Sequence, residues 1–163
     1  MDEFKFDLLV IGSGPAGESA ALNAAEHGLR AAVIEDRRRV GGSCTHSGTI
    51  RSKALRHAVK DLTRYNTNAI FRAIGEPSRI SFQTLLQNAG TVIRRQVAMR
   101  SQYYAKNRIA MYFGVASFID ANTVRVTLPD GAIEIVRAPK VVIATGSRPY
   151  CPADIDFAHP AVF

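Results

Sequence analysis

Apolar residues fall along this chain in several rhythms, and the changes of rhythm divide it into elements. Phe6 to Ile11 is a short apolar run stopped by a glycine cluster, which predicts a strand buried in a parallel sheet rather than a helix. A helix is expected from Pro15 to His27, since proline suits a first helical turn and Gly28 stands where a left-handed cap is wanted. Ala31 to Glu35 is a second apolar run and a second buried strand. Together these form a βαβ unit of about 30 residues with a right-handed crossover. Ile50, Leu55, Val59 and Leu62 recur at helical intervals between Thr49 and Asn66, and breakers around Gly75 and Pro77 close that segment. A longer helix is expected from an N-cap at Ser81 to Asn107, with Phe82, Leu85, Leu86, Ala89, Ile93, Val97 and Tyr104 as its apolar stripe. Beyond Gly114 the period falls to two. Val124, Val126 and Leu128 alternate with polar residues, Pro129-Asp130-Gly131 makes a turn, and Ile133 to Val136 returns beside them. Val141 to Ala144 is again a buried strand, ending at Thr145-Gly146, and no period is visible after Pro149.

The fold class expected from this pattern is α/β: a Rossmann-like parallel sheet with a helical insertion and a small antiparallel β-meander. With 163 residues, 47% of them apolar, one core and one domain are the natural expectation. The net charge of +7 raises a nucleic-acid surface as an alternative. Apart from Arg37, Arg38 and Arg39, however, the basic residues are spread over helical stretches, and no nucleic-acid module accompanies them. The run from Leu8 to Ile11 is far too short for a membrane span or a signal sequence. Two cysteines, Cys44 and Cys151, do not describe a disulfide-stapled secreted scaffold. A cytosolic protein with neither a membrane nor a nucleic-acid partner is expected.

Candidate chemistry begins at Gly12-Ser13-Gly14-Pro15-Ala16-Gly17, a GxGxxG between a predicted strand and a predicted helix. Gly12 serves the tight turn, Gly14 the approach of a pyrophosphate, and Gly17 the close packing of helix on sheet. Pro15 and Ala16 open the helix, whose free N–H groups and partial positive charge face the phosphates. Glu35 closes the second strand where a carboxylate can accept from a ribose diol, with Asp36 and Arg37 beside it. The fingerprint alone does not separate FAD from NAD. Arg37 to Arg39 suit an NADP 2′-phosphate, but Glu35 would repel that phosphate.

The run from Val40 through Lys53, VGGSCTHSGTIRSK, resembles the redox segment of the pyridine nucleotide-disulfide oxidoreductases, whose pattern is GGxCxxxGCxPSK. Cys44 stands at the first cysteine position and Thr49 at the second, so no redox disulfide can form there, which disfavours a disulfide reductase or a dihydrolipoamide dehydrogenase. Gly41 through His57, Ala144 through Tyr150 and Asp154 through Pro160 are similar to the Si-specific transhydrogenase branch of that family. The resemblance implies tightly bound FAD that relays hydride from NADPH to NAD⁺. It makes residues 1–163 the N-terminal part of the FAD-binding domain. The NAD(P)-binding and C-terminal dimerisation domains lie outside the chain, so the segment alone is expected to be inactive and the full-length enzyme a homo-oligomer.

The resemblance also assigns roles. The segment from Glu35 to Cys44 wraps the ribose and pyrophosphate, with Gly41 and Gly42 permitting close backbone approach and Ser43 and Cys44 lining the same path. Gly48 precedes the next helix. Thr49 lies near the flavin C4a edge, Lys53 brings its ammonium to the flavin N5 region, and Ala144, Thr145 and Gly146 complete the cofactor contacts. Cys44 is read as a small hydrophobe without redox work, and His46 and His57 as structural. The histidines and cysteines lack zinc-site spacing, so no metal is expected. Arg51 departs from the pattern by standing where the family has proline, which loosens the first helical turn modestly. The rival readings are a flavoprotein reductase serving another acceptor, such as a quinone, and a non-catalytic FAD-binding module.

Overall fold

The computed structural model describes residues 4–160. Its first three elements are β1 (Leu8–Ile11), α1 (Pro15–Glu26) and β2 (Ala31–Glu35). Pairing of β1 begins at Leu8, two residues later than the apolar run suggests, although Phe6 remains buried. The side chain of Asp7 accepts from the backbone and guanidinium of Arg30, so a polar clasp fixes where the ladder opens. Gly28, at φ +77°, follows the α1 cap as its position in the sequence suggested.

A short α2 (Gly42–His46) leads into α3 (Thr49–Thr67), α4 (Ala69–Ile74) and the long α5 (Phe82–Lys106). Ser81 caps α5 by accepting from the Thr84 N–H at 3.1 Å. The periodic pattern did not disclose α4. Asn68 creates it locally, accepting from the Ile70 N–H at 2.9 Å, in the manner of an N-cap. None of the α3 residues is buried, and α3 packs chiefly against α5 as a helical insertion.

The strands β3 (Ala110–Phe113), β4 (Val115–Asp120), β5 (Thr123–Thr127), β6 (Ile133–Arg137) and β7 (Val141–Ile143) complete the chain. One sheet is wholly parallel in the order β3-β2-β1-β7, and the other is an antiparallel meander, β4-β5-β6. Neither β3 nor β4 was apparent from the period alone. Arg108, in the left-handed region at φ 57°, turns the chain directly from α5 into β3, and β4 is irregular between Phe118 and Asp120.

Alternation along β1 and β2 sends side chains into two layers. Leu9, Ile11, Ala32 and Ile34 meet Val124, Val126 and Val136 of the meander. Val10, Ala31 and Val33 meet Ala21 and Ala24 of α1 and Tyr104 of α5. Burial of each valine, leucine or isoleucine contributes about 1.5–3 kcal/mol, and the small α1 alanines let that helix lie close to the sheet. Arg100 Nε donates to a Glu18 carboxylate oxygen at 2.7 Å, so α5 is pinned to the first turn of α1. Both side chains are largely buried.

Candidate dinucleotide-binding site

The parallel strands place four loops at one edge of their sheet. A cavity of about 510 Å³ opens there, at the C-terminal end of β1. The strand order reverses at this point, with β2 on one side of β1 and β7 on the other, and ligands of open α/β sheets bind in such crevices. A second, more open hollow of about 420 Å³, lined by Arg38, Phe113, Leu128, Pro129 and Asp130, lies over the meander turn and lacks the phosphate-binding backbone.

The glycines divide their work by position. At Gly12, with φ +104°, an added Cβ would lie 2.4 Å from the Ala144 carbonyl oxygen, and at Gly17 it would lie 1.9 Å from the Gly12 carbonyl oxygen. Both glycines are therefore required by contacts inside the fold. At Gly14 the added atom meets only the Gly42 Cα, at 3.9 Å, and otherwise faces open space. Gly14 is the α1 N-cap and provides no side-chain cap. The N–H groups of Ala16 and Gly17 in the first turn thus have no intrahelical acceptor. A diphosphate fits this arrangement: backbone donors, a helix N-terminus and space kept free of side chains.

Beside the glycine turn Glu35 is only 4% exposed. Its Oε2 accepts from the Ser13 N–H at 2.9 Å and from the Ser13 hydroxyl, and its Oε1 accepts from the Arg37 N–H at 3.1 Å. Three protein donors compensate the desolvation of the carboxylate and hold it at the rim where a ribose would lie. The Gly41 N–H donates to the Ser13 hydroxyl oxygen and to the Ser13 carbonyl, which draws the loop after β2 back onto the glycine turn. His46 Nε2 bonds the Val40 carbonyl at 2.9 Å and braces the same loop.

The cavity brings together Gly12, Gly14, Pro15, Ala16, Glu35, Asp36, Arg37, Gly42, Ser43, Cys44, Ala144, Thr145 and Gly146. Gly17, packed on Gly12, and Gly41, packed on Thr45, are not among its lining residues. Gly48, Thr49 and Lys53 are exposed and lie outside its lining. The sequence reading omitted Gly114, between β3 and β4, Val115 and Ala116 at the start of β4, and Ser147 and Arg148 beyond β7, all of which line the cavity. It also gave no role to Ser13. A serine between the first two fingerprint glycines was the available signal, because a hydroxyl there has a backbone position fixed by both neighbours.

Cys44 is partly buried and free, and Cys151 is free and exposed. Two buried hydroxyls, those of Thr45 and Tyr104, have no hydrogen-bond partner among the described residues. Burial, followed by the nearby Glu18 carboxylate, pushes the Tyr104 phenol well above its ordinary range, so it is neutral at physiological pH. Among the described residues no cluster of histidine, cysteine or carboxylate could hold a metal ion, and no helix is long and apolar enough to cross a membrane.

Residues 6–160 match the pyridine nucleotide-disulphide oxidoreductase family. Over its whole length the chain is 55% identical to a soluble pyridine nucleotide transhydrogenase from Pseudomonas putida (strain GB-1), of which it covers 35%. It is 56% identical to one from Hahella chejuensis (strain KCTC 2396), with the same coverage. The chain thus spans about a third of the length of the curated relatives it matches. Among solved structures, the HOCl-induced flavoprotein disulfide reductase RclA from Escherichia coli, as its Cu(II) complex, superimposes with a TM-score of 0.76 at 25% identity, covering 93% of this chain and 31% of that one. Both the parallel sheet and the meander belong to the Rossmann-type FAD-binding fold of such flavoproteins. By sequence and by fold, this chain belongs to the pyridine nucleotide-disulphide oxidoreductase family.

Proposed function

We propose that this chain is the FAD-binding part of a soluble, Si-specific NAD(P)⁺ transhydrogenase. The observation that carries the reading is one cavity lined by Gly14 and Ala16 at the start of α1, by the buried Glu35, and by Cys44 as the only sulfur in its lining among the described residues. The segment from Cys44 in α2 runs on to Thr49 at the start of α3, where a disulfide reductase of this family has its second cysteine. Bound FAD supplies the hydride relay from NADPH to NAD⁺.

The chain's own residues bind and orient. Glu35 accepts from the adenosine ribose, the first turn of α1 receives the diphosphate, and the close approach of Gly42 to Gly14 leaves no side chain between backbone and phosphate. Ser43, Cys44 and the Ala144–Gly146 turn line the same cavity and would hold the rest of the cofactor. With FAD bound, Lys53 would offer a cation to offset negative charge on the flavin, and the Thr49 hydroxyl could donate a hydrogen bond but would carry no electrons. Residues 1–163 form the N-terminal part of the FAD-binding domain. The nicotinamide nucleotides and the contacts of a homo-oligomer belong to the remaining length of the relatives, and the enzyme works in the cytoplasm.

Anaerobic reduction of the FAD-loaded full-length protein tests this. NADPH should bleach the flavin without any thiol or disulfide present, and NAD⁺ should then restore the colour. A protein that stays colourless after FAD reconstitution, or a flavin that reoxidises only with a disulfide, overturns the proposal.

A further inference from the structure

We propose that Ser13 is a positioning residue that sets the Glu35 carboxylate for ribose recognition; this rests on the dinucleotide reading above. Ser13 is fully buried and Glu35 nearly so. A serine hydroxyl has one proton and two acceptor lone pairs, and here each kind of capacity is used. The proton goes to Glu35 Oε2, and the oxygen accepts from the Gly41 N–H at 3.1 Å. The hydroxyl therefore stands between the acid at the end of β2 and the backbone where the chain enters α2.

The consequence is a division of the carboxylate. Oε2 receives both the N–H and the O–H of Ser13, whereas Oε1 receives only the Arg37 N–H. An ionised carboxylate offers about four acceptor positions, so Oε1 is the oxygen left with capacity for a ligand hydroxyl. Glutamate has three side-chain torsions, and the bonds from Ser13 fix which oxygen is presented. An alanine would fill the same space, but it would leave Oε2 with the amide alone and Gly41 with the Ser13 carbonyl alone. Packing without the hydroxyl thus preserves the turn while releasing the orientation of the acid.

Two probes, ADP and 2′,3′-dideoxy-ADP, separate positioning from simple support when titrated against the full-length apoprotein, Ser13→Ala and Ser13→Gly. The parent should prefer ADP by roughly tenfold or more, the discrimination available to a hydrogen bond with a charged acceptor. In both variants the preference should fall to about threefold or less while affinity for the dideoxy probe stays within about twofold of the parent. Variants that keep the parental preference, or that weaken both probes in parallel, overturn the proposal. So does loss of folded protein in both variants, since a positioning hydroxyl is dispensable to the fold. A parent that binds ADP and its dideoxy analogue equally removes Glu35 as the ribose acceptor and this proposal with it, whereas a parent that binds neither ADP nor FAD refutes the dinucleotide reading itself.

Discussion

Alanine at Gly14 should separate ligand binding from folding, and alanine at Gly17 should fail to do so. Gly14 has φ −66° and ψ 179°, extended backbone that any residue adopts, and its added methyl would touch nothing in the protein closer than 3.9 Å. The substitution restricts the unfolded chain, a gain of about 0.4–1 kcal/mol, but alanine is a poorer N-cap than glycine by a comparable amount, so the apoprotein's Tm should stay within roughly 4 °C of the parent. The same methyl occupies the space through which a diphosphate reaches the α1 N–H groups. Losing one charge-assisted hydrogen bond costs about 1.5–3 kcal/mol, which is roughly one to two decades in FAD affinity. At Gly17 the methyl lies 1.9 Å from the Gly12 carbonyl oxygen, so α1 must retreat from β1, at a cost of about 1–3 kcal/mol or more. Thermal melts of the apoproteins and flavin-fluorescence titrations measure the two quantities independently. Parental FAD affinity in Gly14→Ala, or destabilisation there as large as in Gly17→Ala, would refute the assignment of Gly14 to the ligand and Gly17 to the fold.

Glu35→Ala should weaken FAD retention by about one to two decades, through loss of a charged acceptor of roughly 1.5–3 kcal/mol; equal occupancy in mutant and parent at limiting FAD would contradict this. Arg51→Pro should stabilise by about 0.4–1 kcal/mol, because Ser52 donates to the Gly48 carbonyl and Arg51 thereby falls in the first turn of α3, where N–H groups lack intrahelical acceptors; a lowered denaturation midpoint would show otherwise. The side-chain hydrogen bond from Arg30, and then its backbone one, lower the Asp7 carboxyl from 3.8 to about 2. A depressed folded value means a stabilising contribution present above about pH 3.8 and lost as the pH falls toward 2, so Asp7→Asn should flatten the acid limb of a stability profile in that window. Cys44→Ser in the FAD-loaded full-length enzyme should leave hydride transfer between nicotinamides within about tenfold, a barrier change under roughly 1.4 kcal/mol; a thousandfold loss with FAD retained would give the sulfur a chemical role.

What was legible in the sequence follows the range of the interactions that create each element. The βαβ unit depends on neighbours within about 30 residues, and its glycine turn, its helix and the acid after β2 could be located from spacing alone. The α5 cap at Ser81 was visible for the same reason, since the serine serves an N–H three positions on. By contrast β3 follows α5 with only Asn107, Arg108 and Ile109 between them, and Arg108 adopts a left-handed conformation that its residue type does not announce. The meander was half visible: Val124, Val126 and Val136 alternate because one face is buried, while β4 presents mostly exposed residues and carries no clean period. At the site, residues carried by a recognisable motif were found, Ala144 to Gly146 included, whereas Ser13 and the residues from Gly114 to Ala116, which no motif marks, were not.

That asymmetry has a structural cause with a functional consequence. In a parallel sheet every strand delivers its C-terminal end to the same edge, so Gly12, Glu35, Gly114 and Ala144 converge although more than one hundred residues of chain separate the first from the last. The backbone hydrogen bonds running across this edge form a series: the Gly12 N–H donates to the Ile34 carbonyl, the Gly114 N–H to the Glu35 carbonyl, and the Ala144 N–H to the Ile11 carbonyl. Each bond continues a strand ladder just past its last paired residue, and each fixes a loop start without using a side chain. The side chains at the edge are thereby left for the ligand or for one another. Glu35 and Ser13 use that freedom to bind each other across β1 and β2. The glycines use it differently, keeping the ground before α1 bare. Acid and bare backbone are thus held side by side at one cavity by the sheet itself, with Glu35 bonded to Ser13 inside the glycine turn, which fits a ligand whose hydroxylated sugar adjoins its negative charge. Side chains in the exposed first turns of α3, such as Lys53, take no part in that frame. In the proposed function they act on what the bound molecule does, while the frame decides which molecule is bound.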